Sequence, residues 1–233
     1  DAAASRGIMV SNTPVVTEDT ADLAMALLLA SCRRLTHAEA ALRAGRWERG
    51  MSIPGRRVHG STLGIVGLGA IGQALARRAA GFGMTICYHG RQRNPAAEEA
   101  LGAVFKPTLE DLLQSADIVS LHCPLTTATR HLINRETLAL FRPGAVLVNT
   151  GRGALVDEAA LVEALAAGRL GGAGLDVFEF EPEVSPGLLA FDNVTLSPHI
   201  GSATAECRMD MALRTLGNIQ AFLDEGLPVD RVA

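Results

Sequence analysis

The run Gly67-Leu68-Gly69-Ala70-Ile71-Gly72 constrains the fold more than any other stretch of the 233 residues. It follows the apolar segment Leu63-Gly64-Ile65-Val66 and opens a stretch with helical spacing. Alone, a G-x-G-x-x-G is a weak signal; between a strand and a helix it is a phosphate-binding turn. Gly67 permits the tight turn, Gly69 lets backbone approach a pyrophosphate, and Gly72 lets helix and strand pack closely. The helix N-terminus then faces the phosphates with unpaired N–H groups. A dinucleotide is the expected ligand.

From Thr62 onward the chain alternates strand and helix patterns. Strands are predicted over Leu63–Val66, Met84–Tyr88, Val104–Phe105, Ile118–His122, Ala145–Asn149, Gly174–Val177 and Val194–Leu196. Helices are predicted over Ala70–Ala80, Thr108–Ser115, Arg135–Phe141 and Asp157–Ala167. Strands apolar on both faces, separated by helices, imply a doubly wound parallel sheet of the Rossmann type. The 24 glycines suit its many tight turns. Upstream, Gly7–Val10 reads as a short strand. Thr17 reads as the N-cap of a helix running to Leu35 and, past a bend, to Arg43. Downstream, Met209, Leu213, Leu216, Ile219 and Leu223 recur at helical spacing, predicting one amphipathic helix over Ala203–Glu225.

The end of the second predicted strand bears on cofactor choice. Domains that bind NAD place an acid about 20 residues beyond the glycine turn, on the ribose hydroxyls. Here the strand ends Cys87-Tyr88-His89-Gly90-Arg91-Gln92-Arg93, with no acid. Arg91 and Arg93 could pair with a 2′-phosphate, and one such contact shifts preference toward NADPH by about ten- to a hundred-fold. Two solvent-facing turn arginines are the plainer alternative. They belong to a stretch between Arg49 and Ala97 with seven arginines and no acid, which points to a small anionic ligand. The net charge of −4 argues against nucleic acid. Four scattered cysteines fit a reducing, cytoplasmic compartment. The longest apolar run, Leu23–Ala30, is too short to span a membrane. No metal-ligand spacing is present. An opening at Asp1 rather than Met suggests a start that is not the natural one.

Three further blocks follow in order: Asn149-Thr150-Gly151-Arg152-Gly153, then Leu175-Asp176-Val177-Phe178-Glu179-Phe180-Glu181-Pro182, then Ser197-Pro198-His199-Ile200-Gly201-Ser202. With Asn12-Thr13-Pro14, Thr20-Ala21-Asp22 and His122-Cys123-Pro124-Leu125-Thr126, they resemble the D-2-hydroxyacid dehydrogenases over nearly the whole chain. Tyr88-His89-Gly90-Arg91-Gln92 and the run from His199 to Thr204 look most like glyoxylate/hydroxypyruvate reductases. Reducing a 2-oxo acid needs a cation for the carboxylate, a proton donor for the carbonyl oxygen and a hydride donor. Arg152 offers a bidentate fork just beyond a strand. His199 can donate a proton near neutral pH, and Glu181 can orient it. Each residue alone has an ordinary surface or turn reading; the ordered set behind a phosphate turn does not.

The resemblance implies the same roles for Arg152, Glu181 and His199. It implies pyrophosphate contacts from Ala70 and Ile71 and ribose-side contacts from Gly90, Arg91 and Arg93. Pro124 and Thr129 would lie near the adenosine, with Thr150, Asp176 and Gly201 near the nicotinamide. Asp176 would accept from the carboxamide, a loop cap being the alternative. NADP(H) is the expected cofactor, with NAD(H) also usable. His37, His59 and His131 read as exposed, and His122 as a packing residue at a strand end.

Family members have a second, smaller, flavodoxin-like substrate lobe. Residues 1–16 would be its remnant, 17–201 the dinucleotide-binding domain, and 202–233 a C-terminal helix packing toward that lobe. A homodimer joined through Leu35–Met51, including Trp47, is implied. Two alternatives remain: an idle NAD(P)-binding module or dinucleotide-sensing scaffold like the C-terminal-binding-protein corepressors, and a phosphite dehydrogenase-like enzyme. Formate dehydrogenases carry Gln where Glu181 stands.

Overall fold

The computed structural model describes residues 2–47 and 54–232. Residues 48–51 of the proposed dimer arm lie outside them. Strands β1 (Thr62–Val66), β2 (Thr85–His89), β3 (Val104–Phe105), β4 (Ile118–Leu121), β5 (Ala145–Asn149), β6 (Leu170–Leu175) and β7 (Val194–Leu196) form one parallel sheet in the order β3-β2-β1-β4-β5-β6-β7. The order reverses between β1 and β4, so the loops leaving their C-terminal ends diverge and open a crevice.

Every residue of β4 and β5 is buried, as a sheet covered on both faces requires. Alternate residues feed two cores. Val146 and Val148 pack with helices α1 (Thr17–Arg33) and α3 (Ala70–Ala80). Ala145 and Leu147 pack with α5 (Leu109–Ser115), α6 (Arg135–Leu138) and α7 (Glu158–Ala166). Each fully buried Leu or Ile, such as Leu63, Ile65 or Leu147, contributes about 1.5–3 kcal/mol.

Several boundaries differ from the sequence expectation. β6 begins at Leu170, not Gly174, because its glycines are places of contact rather than a turn. A Cβ on Gly174 would lie 2.8 Å from Ser31 Oγ and 3.0 Å from Leu27 Cβ, so α1 rests directly on this strand. Residues 7–10 form no strand; only Ser11 bridges to Arg231, and Ile8 is 53% exposed. Among the described residues they have alongside them only the short stretch Asp230–Val232, whose Val232 N donates to Val10 O at 2.8 Å, too little for a strand pair. Thr17 is the first residue of α1 rather than its cap, and Glu18 in that turn pairs with Arg77 and Arg78 of α3. The bend falls at Arg34 (φ 52°), before α2 (Leu35–Arg43).

Two short helices escaped prediction: α4 (Pro95–Leu101) and α8 (Pro186–Leu189). For α4 the signal was present, since Asn94 caps Ala97 N and Pro95 opens the first turn. The C-terminal helix α9 (Ala205–Glu225) starts at a Thr204 cap that also bonds Asp19 at 2.5 Å. Buried Asn218 ties it to Asn12 and Asp230. Its apolar stripe faces outward, with Leu216 62% and Leu223 71% exposed. Among the described residues no helix is long and apolar enough to cross a membrane, and no cluster of His, Cys, Asp and Glu could hold a metal.

Candidate active site

The sequence-predicted residues all lie at or beyond the C-terminal ends of strands. At the end of β1, Gly67 adopts φ 96° and its amide donates to His89 O at 2.8 Å. A Cβ there would approach Cys123 N to 2.8 Å, so the turn and the loop after β4 meet only because Gly67 has none. Gly72 is pressed against the Gly67 carbonyl and Ile65. Gly69, by contrast, has open space where its Cβ would be and is the N-cap of α3 with no side-chain cap bond. Ala70 and Ile71 stand in the first turn, which holds no acid. A cradle this open, ending on free helix amides, fits a pyrophosphate. Thr150, at the end of β5, has a buried hydroxyl with no hydrogen-bond partner, a polar atom that a bound nicotinamide group would satisfy.

Beyond β2, Gly90 is half-buried and Arg91 exposed at the tip. Arg93 is not equivalent to Arg91. Its guanidinium pairs with Glu98 of α4 at 2.7 Å, and Glu98 also accepts from the buried Tyr88 hydroxyl at 2.6 Å. The pair engages Nε and Nη2 of Arg93, so it would meet a ligand phosphate with Nη1 while staying on Glu98. Thr129 donates to Pro124 O at 2.7 Å and accepts from Thr126 N, closing the turn after β4. His122 accepts or donates to Ser120 Oγ at 2.8 Å, and burial pushes its imidazole down to about 4.

Three charged side chains converge on the opposite half of the sheet. His199 Nδ1 lies 2.8 Å from Glu181 Oε2. The other Glu181 oxygen accepts from Phe178 N at 2.9 Å. Burial pushes the Glu181 carboxyl up, but the bonds from His199 and the Phe178 amide, with the charges of His199 and Arg152, outweigh it and hold it below its usual range. Arg152 is exposed and, among the described residues, bonds only its neighbour's carbonyl, Gly151 O, so its fork is open to a ligand. Arg152, Glu181 and His199 line one cleft of about 510 Å³, walled by Leu125, Ala154, Phe178 and Phe180.

Local structure fixes each group. Gly153 lets the loop after β5 lie against the loop after β6; a Cβ there would overlap the Phe178 carbonyl. Asp176, 1% exposed, accepts from Ser197 Oγ, Ile200 N and Gly201 N, and its carbonyl accepts from His199 N at 2.8 Å. The structure thus shows Asp176 as a cap of the loop that holds His199 at φ 53°, a conformation His tolerates better than most side chains. The sequence missed two partners here. His37 and His131, read as exposed, are half-buried and paired with Asp192 and Glu179. Glu179 and the cleft walls Phe178 and Phe180 drew no role either, since nothing in local spacing separates Glu179 from Glu181.

Comparison with known proteins places the chain in a family. Residues 25–201 match the family described as D-isomer specific 2-hydroxyacid dehydrogenase, NAD binding domain. A glyoxylate reductase of Thermococcus litoralis is 50% identical over 237 residues, covering 99% of this chain and 71% of its own. The crystal structure of a glyoxylate reductase from Paecilomyes thermophila superposes with a TM-score of 0.94 at 43% identity, covering all of this chain and 70% of its own. That of an NADPH-dependent glyoxylate/hydroxypyruvate reductase from Sinorhizobium meliloti, in complex with NADP and malonate, superposes at 0.91 with 44% identity, over all of this chain and 72% of its own. A glycine cradle at the switch point and an Arg, Glu and His in one cleft thus belong to a chain matched along its length. The protein is a member of the D-isomer-specific 2-hydroxyacid dehydrogenase family, an oxidoreductase that uses a nicotinamide dinucleotide.

Proposed function

We propose that this chain reduces glyoxylate and hydroxypyruvate, with NADPH preferred over NADH. The observation that carries the reading is the His199–Glu181 hydrogen bond of 2.8 Å in the same cleft as Arg152. The names of the relatives support the substrate class. Arg152 holds the substrate carboxylate through its two parallel N–H groups. The reduced nicotinamide, when bound, supplies the hydride. His199 holds a proton on Nε2 for the carbonyl oxygen, while Glu181 fixes the ring through Nδ1. Thr150 and the amides of α3 hold the dinucleotide, with Pro124 and Thr129 at the adenosine end. Asp176 keeps the carboxamide in reach through the one lone pair left on Oδ2, and Gly201 leaves room beside it.

Arg91 supports NADPH because it is exposed at the end of β2 where an acid would otherwise stand. Arg93 adds to it through Nη1, the nitrogen that Glu98 leaves open. The enzyme is read as a cytoplasmic homodimer, consistent with four unbridged cysteines and with an exposed Leu42 and Trp47 along the proposed arm.

The test follows oxidation of NADPH and NADH with glyoxylate and hydroxypyruvate. Turnover with NADPH favoured is expected, and Arg91→Ala should cut the preference about ten-fold. An unchanged cofactor ratio in that variant rejects the role of Arg91. Tight NADPH binding without turnover supports the idle module or scaffold instead.

The pH dependence follows from the pair. Because the Glu181 pKa is lowered, the carboxylate persists across neutral pH and supports the protonated imidazole. That support is present above its unperturbed value and is lost only as pH falls through the lowered one. Glu181→Gln removes it at all pH. The alkaline limb of the kcat/KM profile should move to lower pH; an unmoved limb rejects the pairing as functional.

A further inference from the structure

A second imidazole–carboxylate pair holds the span that carries Glu181. Glu179 precedes Glu181 by two residues, and only 6% of its side chain is exposed. Its Oε1 accepts from His131 Nε2 at 2.6 Å and from the Arg130 guanidinium at 2.9 Å. Its backbone amide donates to Glu158 Oε1 at 2.5 Å, and Glu158 is itself buried. His131 is pinned in turn. Its backbone takes φ 51°, its amide donates to Ala154 O at 2.8 Å, and its carbonyl accepts from the Asn134 side chain. Ala154 lies two residues beyond Arg152. On the near side of the span, Phe178 N closes back on Glu181 Oε1.

His131 therefore touches both loops that deliver charged groups to the cleft. We infer that His131 and Glu179 are positioning residues whose pair keeps Glu181 aligned with the His199 ring, an inference that rests on the reading of Glu181 above. The physical reason is the burial of Glu179: a carboxylate out of water holds its place only while its partners do. Without His131 its side chain keeps only Arg130, itself 54% exposed, and the 178–181 span rests on its backbone bonds to Glu158 and Glu181. The charged groups facing that span are Arg130, His131, Glu158 and Arg152.

The experiment compares His131→Ala, His131→Gln and Glu179→Gln in the whole chain. The first readout is the titration of the His199 ring by NMR in histidine-labelled protein, which needs no turnover; kcat and NADPH affinity are measured alongside. His131→Ala should lower the His199 titration midpoint, as Glu181→Gln is expected to. It should cut kcat by about ten- to a hundred-fold, the scale of a misplacement near 1 Å, with NADPH affinity unchanged. His131→Gln keeps a donor for Glu179 and should restore most of both. In the Glu181→Gln background, His131→Ala should add nothing. Should His131→Ala not fold, Glu179→Gln carries the same expectation in weaker form. A midpoint that moves with Glu181→Gln but not with the His131 or Glu179 variants overturns the inference. A midpoint unmoved by Glu181→Gln overturns the reading of Glu181 itself.

Discussion

Arg152→Ala should lower kcat/KM for 2-oxo acids by about 10²- to 10⁴-fold, the loss of two charge-assisted hydrogen bonds at roughly 1.5–3 kcal/mol each. Affinity for NADPH should stay the same, because the phosphate cradle lies across the sheet at β1. Stability should hardly change: the Arg152 side chain is exposed and, among the described residues, bonds only Gly151 O, and surface changes of this kind fall within about 0.5 kcal/mol. Arg152→Lys should recover little, since a point charge cannot make the bidentate contact. The measurement is steady-state kinetics paired with cofactor titration by fluorescence. Equal losses of substrate use and cofactor affinity would place Arg152 in the service of the cofactor or of the fold.

His199→Ala should lower kcat by about 10²- to 10⁴-fold, the range of a positioned general acid. Its signature is in the pH profile as much as in the rate. The residual activity should lose the alkaline limb, since no ring remains to be deprotonated. Substrate KM should move far less than in Arg152→Ala, because the carboxylate keeps its clamp. The side chain is 52% exposed and the loop is organised by Asp176 rather than by the ring, so the variant should fold. Residual activity that retains the wild-type pH limb would assign the proton to another group.

How much of this was legible beforehand depended on whether the cause was local. The phosphate turn was, because its glycines are required by contacts within one strand–turn–helix unit. Arg152, Glu181 and His199 were found through an ordered set of blocks, and the cleft gathers all three. The start of β6 was not legible, since Gly171, Gly172 and Gly174 look like a turn until α1, Gly144 and Asn193 are packed on them. The short strand over 7–10 failed for the opposite reason: its residues have β character, but among the described residues only Val10, through Val232 beside the Ser11–Arg231 bridge, finds a partner across the chain. Arg93 and Glu98 are five residues apart, yet only the helix begun at Pro95 turns the acid back toward the arginine. His131 and Glu179 are separated by 48 positions, and no spacing rule joins them.

The sheet divides labour along its width. Arg91 stands at the tip of β2, while Arg152, Glu181 and His199 follow β5, β6 and β7, with β1 and β4 between. Selection acting on one edge is therefore insulated from the other. On the proposed roles, a change at Arg91 should alter the choice of reductant without retuning the proton donor. The converse is expected too: changes at the walls Leu125 and Phe180 should alter which keto acid is taken while the coenzyme stays the same. A scaffold wired this way is predisposed to diversify one trait at a time.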